Sequence, residues 1–410
     1  MAPKSVTCCV VGGGPAGITL GLLLARAGVE VAVLEKHADF LRDFRGDTVH
    51  PSTLTLLDEL GLFAEFDKLP QYRAHGIAVG TPDGPMPFAD LGGLSVPHPY
   101  VAFVPQWDFL NLLAGHAQTY PAFHLITEAE ADDVIVEGGA IRGVRYRTAD
   151  GEHELRAKLT VAADGRHSAV RAAAGLEPVE MATPMDVLWF RLPRVETDTE
   201  ETFLQFGAGQ MMVAINRGTY WQLAYLIRKG SAEKLRAQDI SALRTPVAEL
   251  LPFLSDRVDR LTSWDDTSVL QVGLNRLRRW HRPGLLCIGD AAHTMSPIAG
   301  VGINLAVQDA VATANALADG LLRTQRDGVP LDGRAVIGVQ RRRSVPATIT
   351  QRVQQIIQNR VITPTLSGEA KTPAFFRLVS SMPAARRVLR RFVGLGVLPE
   401  HIRTPDVARR

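Results

Sequence analysis

The sequence predicts an α/β protein in which a parallel sheet covered by helices is joined to a second, mostly antiparallel sheet. Three observations predict this class. An apolar strand over residues 6–11 runs into a glycine-rich turn and a helix, and two further apolar strands run into turns at Asp164 and Asp290. The segment 181–265 instead contains short aromatic-rich strands separated by turns. With 410 residues the chain is too long for one compact core, so we expect two domains.

The composition excludes several classes of protein. Hydrophobic residues make up 46% of the chain and the net charge is +2, which gives no reason to expect a nucleic-acid partner. Cys8, Cys9 and Cys287 lie in apolar runs without a C-x-x-C pair, which argues against a thiol redox centre or a zinc site. No apolar stretch reaches the roughly 20 residues of a membrane helix. We therefore expect a cytoplasmic protein with reduced, buried cysteines.

The first element pair carries a dinucleotide fingerprint. After the first strand, Gly12, Gly14 and Gly17 form the pattern G-x-G-x-x-G. In such a turn the first glycine permits the tight bend, the second lets a pyrophosphate approach the backbone, and the third lets the helix pack on the strand. The strand, turn and helix are in register, so the pattern predicts a nucleotide site.

The following elements complete this site. Pro15 and Ala16 open the helix, whose N-terminus would offer free N–H groups and partial positive charge to phosphates. The next strand, over residues 29–34, ends at Glu35 and Lys36. The Glu35 carboxylate can accept hydrogen bonds from both ribose hydroxyls of an adenosine. This motif by itself does not distinguish FAD from NAD.

Two later motifs favour FAD. A strand runs into Asp164 and Gly165, and a helix that Ser168 can cap begins just after them. A further buried strand ends at Gly289-Asp290, where the carboxylate could hold the hydroxyls of a polyol chain.

A glycine-rich helix start follows this third strand. After a loop with Pro297, Gly300 and Gly302 open a long helix that continues through Ile303 and Asn304. The glycines would let a flat ring lie on the backbone, and the helix N-terminus would stabilise negative charge on a reduced flavin.

Taken together, the three segments resemble the single-component FAD-dependent aromatic monooxygenases typified by para-hydroxybenzoate hydroxylase. The resemblance covers about residues 1–365. It implies a Rossmann-like FAD-binding domain of the glutathione-reductase type, an inserted and mostly antiparallel β-sheet substrate domain, and a C-terminal helical region. The FAD-binding domain would comprise residues 1–75, 100–180 and 266–365, the substrate domain residues 76–99 and 181–265, and the basic helical tail residues 366–410.

The resemblance also assigns roles to individual residues. Arg45 would contact the pyrophosphate, and Gln106 the ribityl chain. Asp47 would lie near the flavin ring as a proton acceptor or as a turn residue, with His50 a weaker candidate, and the carbonyl of Pro297 would flank flavin C4a. The predicted cofactor-binding residues are Gly12, Gly14, Pro15, Ala16, Gly17, Glu35, Lys36, Arg45, Gln106, Asp164, Gly165, Asp290, Gly300, Gly302, Ile303 and Asn304, and the predicted catalytic residues are Asp47 and Pro297.

The remaining sequence predicts a substrate wall and a basic tail. We expect the inserted sheet to form one wall of an apolar pocket. For any single aromatic residue in it, however, sheet core is the favoured interpretation. A basic amphipathic helix within residues 375–396 is expected to pack on the protein rather than on a membrane. The aromatic residues of this sheet are Trp189, Phe203, Phe206, Tyr220, Trp221 and Tyr225.

The function that the resemblance implies is oxygen insertion. NAD(P)H would reduce FAD transiently, which fits the single nucleotide fingerprint, and dioxygen would form a C4a-hydroperoxide that attacks an electron-rich aromatic substrate. One alternative is a flavin-dependent reductase of an isoprenoid-type substrate. A halogenase is disfavoured because the stretch Trp-x-Trp-x-Ile-Pro is missing. A non-enzymatic binding protein related to the GDP-dissociation inhibitors is disfavoured by the intact segment 290–304. The oligomeric state stays open.

Overall fold

A computed structural model describes residues 3–41, 48–81, 84–368 and 382–409 of the chain. Arg45 and Asp47, predicted to lie near the pyrophosphate and the flavin ring, fall outside these described residues.

The first sheet has eight strands and forms the centre of the FAD-type domain. Its five central strands are parallel, in the order β20-β11-β1-β2-β8, and β19, β10 and β9 extend it by antiparallel pairing. β1, β2, β20 and the second half of β11 are almost completely buried, and α1 and α8 pack against β1, whereas β8 is only partly buried. The strands are β1 (Ser5–Val11), β2 (Val31–Leu34), β8 (Phe123–Ile126), β9 (Glu130–Glu137), β10 (Ala140–Thr148), β11 (Gly151–Ala162), β19 (His281–Arg282) and β20 (Leu285–Cys287).

The second sheet has seven strands in the order β17-β13-β16-β15-β14-β5-β6. All neighbours are antiparallel except β14 and β5. Its last strand begins at Ser268, three residues beyond the boundary expected at residue 265. The strands are β5 (Gly76–Thr81), β6 (Gly84–Asp90), β13 (Met185–Pro193), β14 (Phe203–Gly207), β15 (Gln210–Asn216), β16 (Tyr220–Arg228) and β17 (Ser268–Leu270).

Two small sheets connect the two large ones. One pairs the strand that follows residue 47 with the two strands that bracket β5 and β6. The other pairs two strands that precede the third motif with a short strand between Asp290 and Pro297. The first contains β3 (Thr48–Val49), β4 (Tyr72–Ala74) and β7 (Val101–Phe103), and the second contains β12 (Pro178–Glu180), β18 (Asn275–Leu277) and β21 (His293–Thr294).

The described residues form eleven α-helices. α1 and α8 pack on each other beside the parallel sheet, and α9 continues through a π-helical turn at Gln358–Ile362 into α10. The helices are α1 (Pro15–Arg26), α2 (Pro51–Leu60), α3 (Phe63–Phe66), α4 (Gln106–Ala117), α5 (Ala169–Ala173), α6 (Ala232–Arg236), α7 (Ser241–Leu250), α8 (Gly302–Asp327), α9 (Gly333–Ile357), α10 (Thr363–Leu366) and α11 (Pro383–Leu395).

The C-terminal region packs on the body of the protein. In α11, Leu389, Phe392 and Val393 turn towards apolar residues of β7 and β15. Beyond this helix the chain runs back along the FAD-type domain, where Arg26 Nη1 donates to the carbonyl of Thr404 at 2.8 Å. Within the described part of the chain, no helix is both long and apolar enough to cross a membrane.

Candidate active site

The fingerprint turn leaves an open space at Gly14. Gly12 has φ +102°, and a Cβ there would lie 2.4 Å from the carbonyl oxygen of Ala163. A Cβ on Gly17 would lie 1.9 Å from the carbonyl oxygen of Gly12, so helix and turn are in direct contact. A Cβ on Gly14 would meet nothing within 4 Å. Two of the glycines therefore permit the tight backbone, and the third faces space that a phosphate could occupy.

The Glu35 carboxylate is held beside this turn. Glu35 is buried, and its Oε2 accepts from the Gly13 N–H at 2.9 Å while its Oε1 accepts from the His37 N–H at 3.0 Å. These two bonds orient the carboxylate at the end of β2. Lys36, the next residue, is exposed.

The Asp164 motif presents a buried acceptor. Oδ2 of Asp164 accepts from the Val170 N–H at 3.2 Å, but its Oδ1 is buried and has no hydrogen-bond partner among the described residues. Burial raises the pKa of this carboxyl above its usual value. A Cβ on Gly165 would meet nothing within 4 Å. As expected, Ser168 caps α5 by accepting from the Arg171 N–H at 2.9 Å.

A buried network of charged side chains contacts the third motif at Gly289. Oδ2 of Asp309 accepts from the Gly289 N–H at 3.0 Å and lies 2.7 Å from Nε2 of His293. Oδ1 of Asp309 accepts from Nε of Arg343 at 2.8 Å, and Arg343 also lies 3.6 Å from Glu400 of the C-terminal segment. Burial by itself would raise the pKa of Asp309, but His293 and Arg343 together lower it.

In front of this network lies Asp290. No described residue donates a hydrogen bond to its carboxylate, and burial raises its pKa above the usual value. A carboxylate of this kind is suited to accept hydrogen bonds from the hydroxyls of a ligand.

The predicted ring site lies at the turn before α8 and the strand β3. Gly300 has φ +62°, and a Cβ there would lie 2.6 Å from Thr48 Oγ1, which donates to the Gly300 carbonyl at 2.7 Å. At Gly302 a Cβ would meet nothing within 4 Å. The first-turn amides of α8, including that of Ile303, have no acceptor within the helix. Pro297 starts the turn and its carbonyl accepts from the Gly300 N–H at 3.0 Å.

Asn304 is occupied by protein contacts. Its Oδ1 accepts from the His50 N–H at 3.0 Å and from Thr53 Oγ1 at 2.6 Å. The Asn304 side chain thus connects α8 with the start of α2. Sequence reasoning did not predict this connection. The one local signal was Pro51, which marks a helix start directly after His50.

Gln106 is the first residue of α4, and its half-buried side chain makes no hydrogen bond to any described residue. Its predicted contact with a ribityl chain remains a proposal, as do the predicted roles of the other site residues.

The inserted sheet has two different faces. Its outer face, which carries Phe203, Trp221 and Tyr225, packs against α7. Its inner face, which carries Trp189 and Phe206, packs towards the π-helical turn, β7 and α11. Tyr220 lies under the guanidinium of Arg191, 4.7 Å from it. The aromatic residues are therefore divided between the two faces of the sheet.

These parts meet at one edge of the parallel sheet. Gly12, Glu35, Asp164 and the Gly289-Asp290 turn follow the carboxyl ends of β1, β2, β11 and β20, which are neighbours in the sheet. This edge is where α/β folds bind nucleotides. Open space at three glycines, carboxylate oxygens of Asp164 and Asp290 without a donor among the described residues, and two helix N-termini together fit FAD.

Comparison with known proteins agrees with this geometry. The sequence model of the FAD binding domain family matches residues 5–332. The chain is 34% identical over 387 residues to 6-methylpretetramide 4-monooxygenase of Streptomyces rimosus, covering 93% of this chain and 91% of that protein. It is 30% identical over 322 residues to rifampicin monooxygenase of Streptomyces venezuelae, covering 73% of this chain and 61% of that protein.

A solved structure shows the same fold. The p-nitrophenol 4-monooxygenase PnpA of Pseudomonas putida superposes with a TM-score of 0.75 at 19% identity, over 95% of this chain and 97% of that one. The fold and the site thus define a flavoprotein with a nucleotide-binding domain and an inserted sheet. The chain belongs to the FAD binding domain family and is an FAD-dependent monooxygenase. The fold class and the enzyme class predicted from the resemblance are confirmed.

Proposed function

We propose that this monooxygenase hydroxylates a phenolic or fused-ring aromatic substrate held between the inner face of the inserted sheet and the turn at residues 297–300. The observation that carries the proposal is the apolar character of this face. Trp189, Met211 and Val213 lie in one cluster with Ile298, which directly follows Pro297. An aromatic ring bound against this cluster would lie beside the predicted flavin-ring site.

The relatives support the same substrate class. The relative with 34% identity is named for monooxygenation of 6-methylpretetramide and is covered over 91% of its length. Similarity over nearly the whole chain includes the inserted sheet as well as the FAD-type domain. This supports an aromatic substrate better than a family match to the nucleotide domain by itself.

The chain's own residues would bind FAD and the substrate, orient them, and exclude water from the site. Bound FAD would supply the redox chemistry, taking electrons from NAD(P)H and activating dioxygen. The start of α8 would place partial positive charge at the ring, and the apolar inner face would exclude water from the reacting atoms. Gly14, Gly165 and Gly302 would provide the contact surface for the cofactor.

NAD(P)H is proposed as a transient reductant. The described nucleotide-binding edge is accounted for by FAD, and the sequence contains a single G-x-G-x-x-G fingerprint. A reductant that binds briefly and leaves needs no second site of this type.

A ligand screen with the purified holoprotein tests this proposal. Phenolic and fused-ring aromatic compounds should perturb the visible absorbance of the flavin and stimulate NAD(P)H oxidation in air. Aliphatic isoprenoids serve as the matched negative set. Stimulation by isoprenoids alone, or equal turnover without oxygen, would move the protein to the reductase class.

A further inference from the structure

His50 lies at a junction of three helices. It precedes α2 as its N-cap residue, and it is 2% exposed. Its backbone N–H donates to Asn304 in the first turn of α8 at 3.0 Å. On the opposite side, ring Nδ1 lies 2.7 Å from the carbonyl oxygen of Val393 in α11. Because a carbonyl can only accept, Nδ1 carries the proton in this contact.

The contact with His50 gives the Val393 carbonyl a hydrogen-bond donor that α11 itself does not provide. The last four carbonyls of an α-helix have no partner within the helix, and Val393 lies in the last turn of α11. The adjoining residue, Gly394, is in close contact with the body of the protein. A Cβ on Gly394 would lie 2.4 Å from Cδ1 of Leu94 and 3.5 Å from Pro51. His50 therefore caps α11 where this helix is packed most tightly.

The other side of His50 belongs to the ring site. The same Asn304 oxygen that binds the His50 amide accepts from Thr53, and Thr48, two residues before His50, donates to the Gly300 carbonyl. A change in the position of His50 would therefore be transmitted to β3, to Gly300 and to the start of α8.

We propose that His50 is a positioning residue that couples the docking of α11 to the geometry of the flavin-ring site. With α11 docked, Val393, Leu389 and Phe392 cover the end of the apolar cluster that contains Trp189. Without the His50 contact, the Val393 carbonyl would be buried and unpaired, so that α11 would dock less firmly and water would reach the substrate space. NAD(P)H, a proton and dioxygen would then give NAD(P)⁺ and hydrogen peroxide instead of hydroxylated product.

The test compares His50→Ala with His50→Asn in the full-length protein. Asparagine can donate from Nδ2 to the Val393 carbonyl and is a good N-cap residue, so it should restore the junction. The matched control is His401→Ala. His401 binds Glu59 near the other end of α2 at 2.5 Å, and it connects the C-terminal segment to this helix without contacting the ring site.

Two readouts do not depend on the substrate. They are the FAD dissociation constant, from flavin fluorescence, and the rate of tryptic cleavage at the arginines of α11, followed by mass spectrometry. We expect His50→Ala to weaken FAD binding and accelerate cleavage by about tenfold each, as for the loss of one buried hydrogen bond. His50→Asn should lie near wild type, and His401→Ala should leave FAD affinity unchanged. Gly394→Phe, which keeps His50 but blocks docking, should reproduce the His50→Ala result.

The third readout is the share of NAD(P)H oxidation that yields hydroxylated product rather than hydrogen peroxide. This readout rests on the proposed function. With an aromatic substrate, His50→Ala should release a larger share of peroxide per NAD(P)H oxidised than wild type. If the wild-type protein shows no substrate-stimulated oxidation, the proposed function fails while FAD affinity and cleavage still decide the role of His50. Wild-type FAD affinity and cleavage in His50→Ala, or an equal effect in His401→Ala, would overturn the inference.

Discussion

Glu35 illustrates at the scale of one residue how the fold prepares a ligand contact. Two backbone amides fix the orientation of its carboxylate beside the fingerprint turn. We expect Glu35→Ala to weaken FAD binding by about 1.5–3 kcal/mol for each charge-assisted hydrogen bond lost. Titration of the apoprotein with FAD measures this effect. Glu30→Ala is the control, because Glu30 is an exposed carboxylate paired with His124 just before β2. Equal affinities in the two variants would show that Glu35 does not bind the cofactor.

His50 leads to a prediction on pH. Burial lowers its pKa, against the opposing effect of the Val393 and Gly300 carbonyls. In the unfolded chain the pKa of this histidine is near 6.5. At pH values between that pKa and the lower pKa of the native protein, the unfolded chain binds a proton that the native protein does not. The free energy of unfolding should therefore fall as pH drops below about 6.5, by at most about 1.4 kcal/mol per pH unit from this group. Urea unfolding of His50→Asn should show a smaller fall than wild type, and an identical pH dependence would contradict the prediction.

Single residues differ in how far they could be predicted. The role of Gly17 follows from local spacing, because the close contact it permits is with the carbonyl of Gly12. Gly12 was predicted from the same motif, although its own close contact is with Ala163 after β11, far away in the sequence. The partners of Asn304 could not be predicted, since they come from residues about 250 positions earlier in the chain. The network of Asp309, Arg343 and Glu400 is equally long-range, and nothing in the local sequence marks it.

At the scale of elements, we expect the outer face of the inserted sheet to contribute to stability and its inner face to substrate binding. Trp221 is fully buried on the outer face, and its Nε1 donates to Asp198 at 2.9 Å. We expect Trp221→Ala to cost about 3–5 kcal/mol in the free energy of unfolding. Trp189→Leu, on the inner face, should leave FAD affinity unchanged and weaken binding of the aromatic substrate. Urea unfolding and substrate titration measure the two effects. Weakened substrate binding in a folded Trp221 variant with wild-type binding in Trp189→Leu would reverse our assignment of the faces.

The first turn of α8 supports a prediction about the ring site. A Cβ on Gly302 meets no protein atom, so Gly302→Val should fold. If the flavin ring lies on this turn, the valine side chain would occupy its space. The FAD dissociation constant should then rise by about a hundredfold or more, which is a loss of about 2.7 kcal/mol or more in binding free energy. Gly338→Val is the control, because Gly338 is also a helical glycine with open space but lies in α9. Unaltered FAD affinity in Gly302→Val would place the ring elsewhere.

The strands of the inserted sheet could be predicted because alternation and turn residues are local properties. Which aromatic residues share a face with the active site could not, since this depends on strand pairing. The pairing of Trp189 with Ala224 and of Leu192 with Trp221 sets the two tryptophans on opposite faces.

For the whole molecule, the three motifs predicted the fold class because each consists of a strand, a turn and a helix. These three units have to come together to bind one nucleotide cofactor. The C-terminal region was predicted only as a basic helix packed on the protein. Its contacts with α2, with Arg343 and with Arg26 join segments more than 50 residues apart, and such contacts leave no periodic signal. The coupling between α11 and the ring site is therefore visible only in the folded chain.

The central claim is that this protein inserts oxygen from dioxygen into an aromatic substrate. Turnover of a substrate from the screen with NAD(P)H under isotopically labelled dioxygen tests it directly by mass spectrometry of the product. We predict that one labelled oxygen atom enters each product molecule and that the other is recovered in water. An unlabelled product, or a reduced or desaturated product formed equally well without oxygen, would contradict the account.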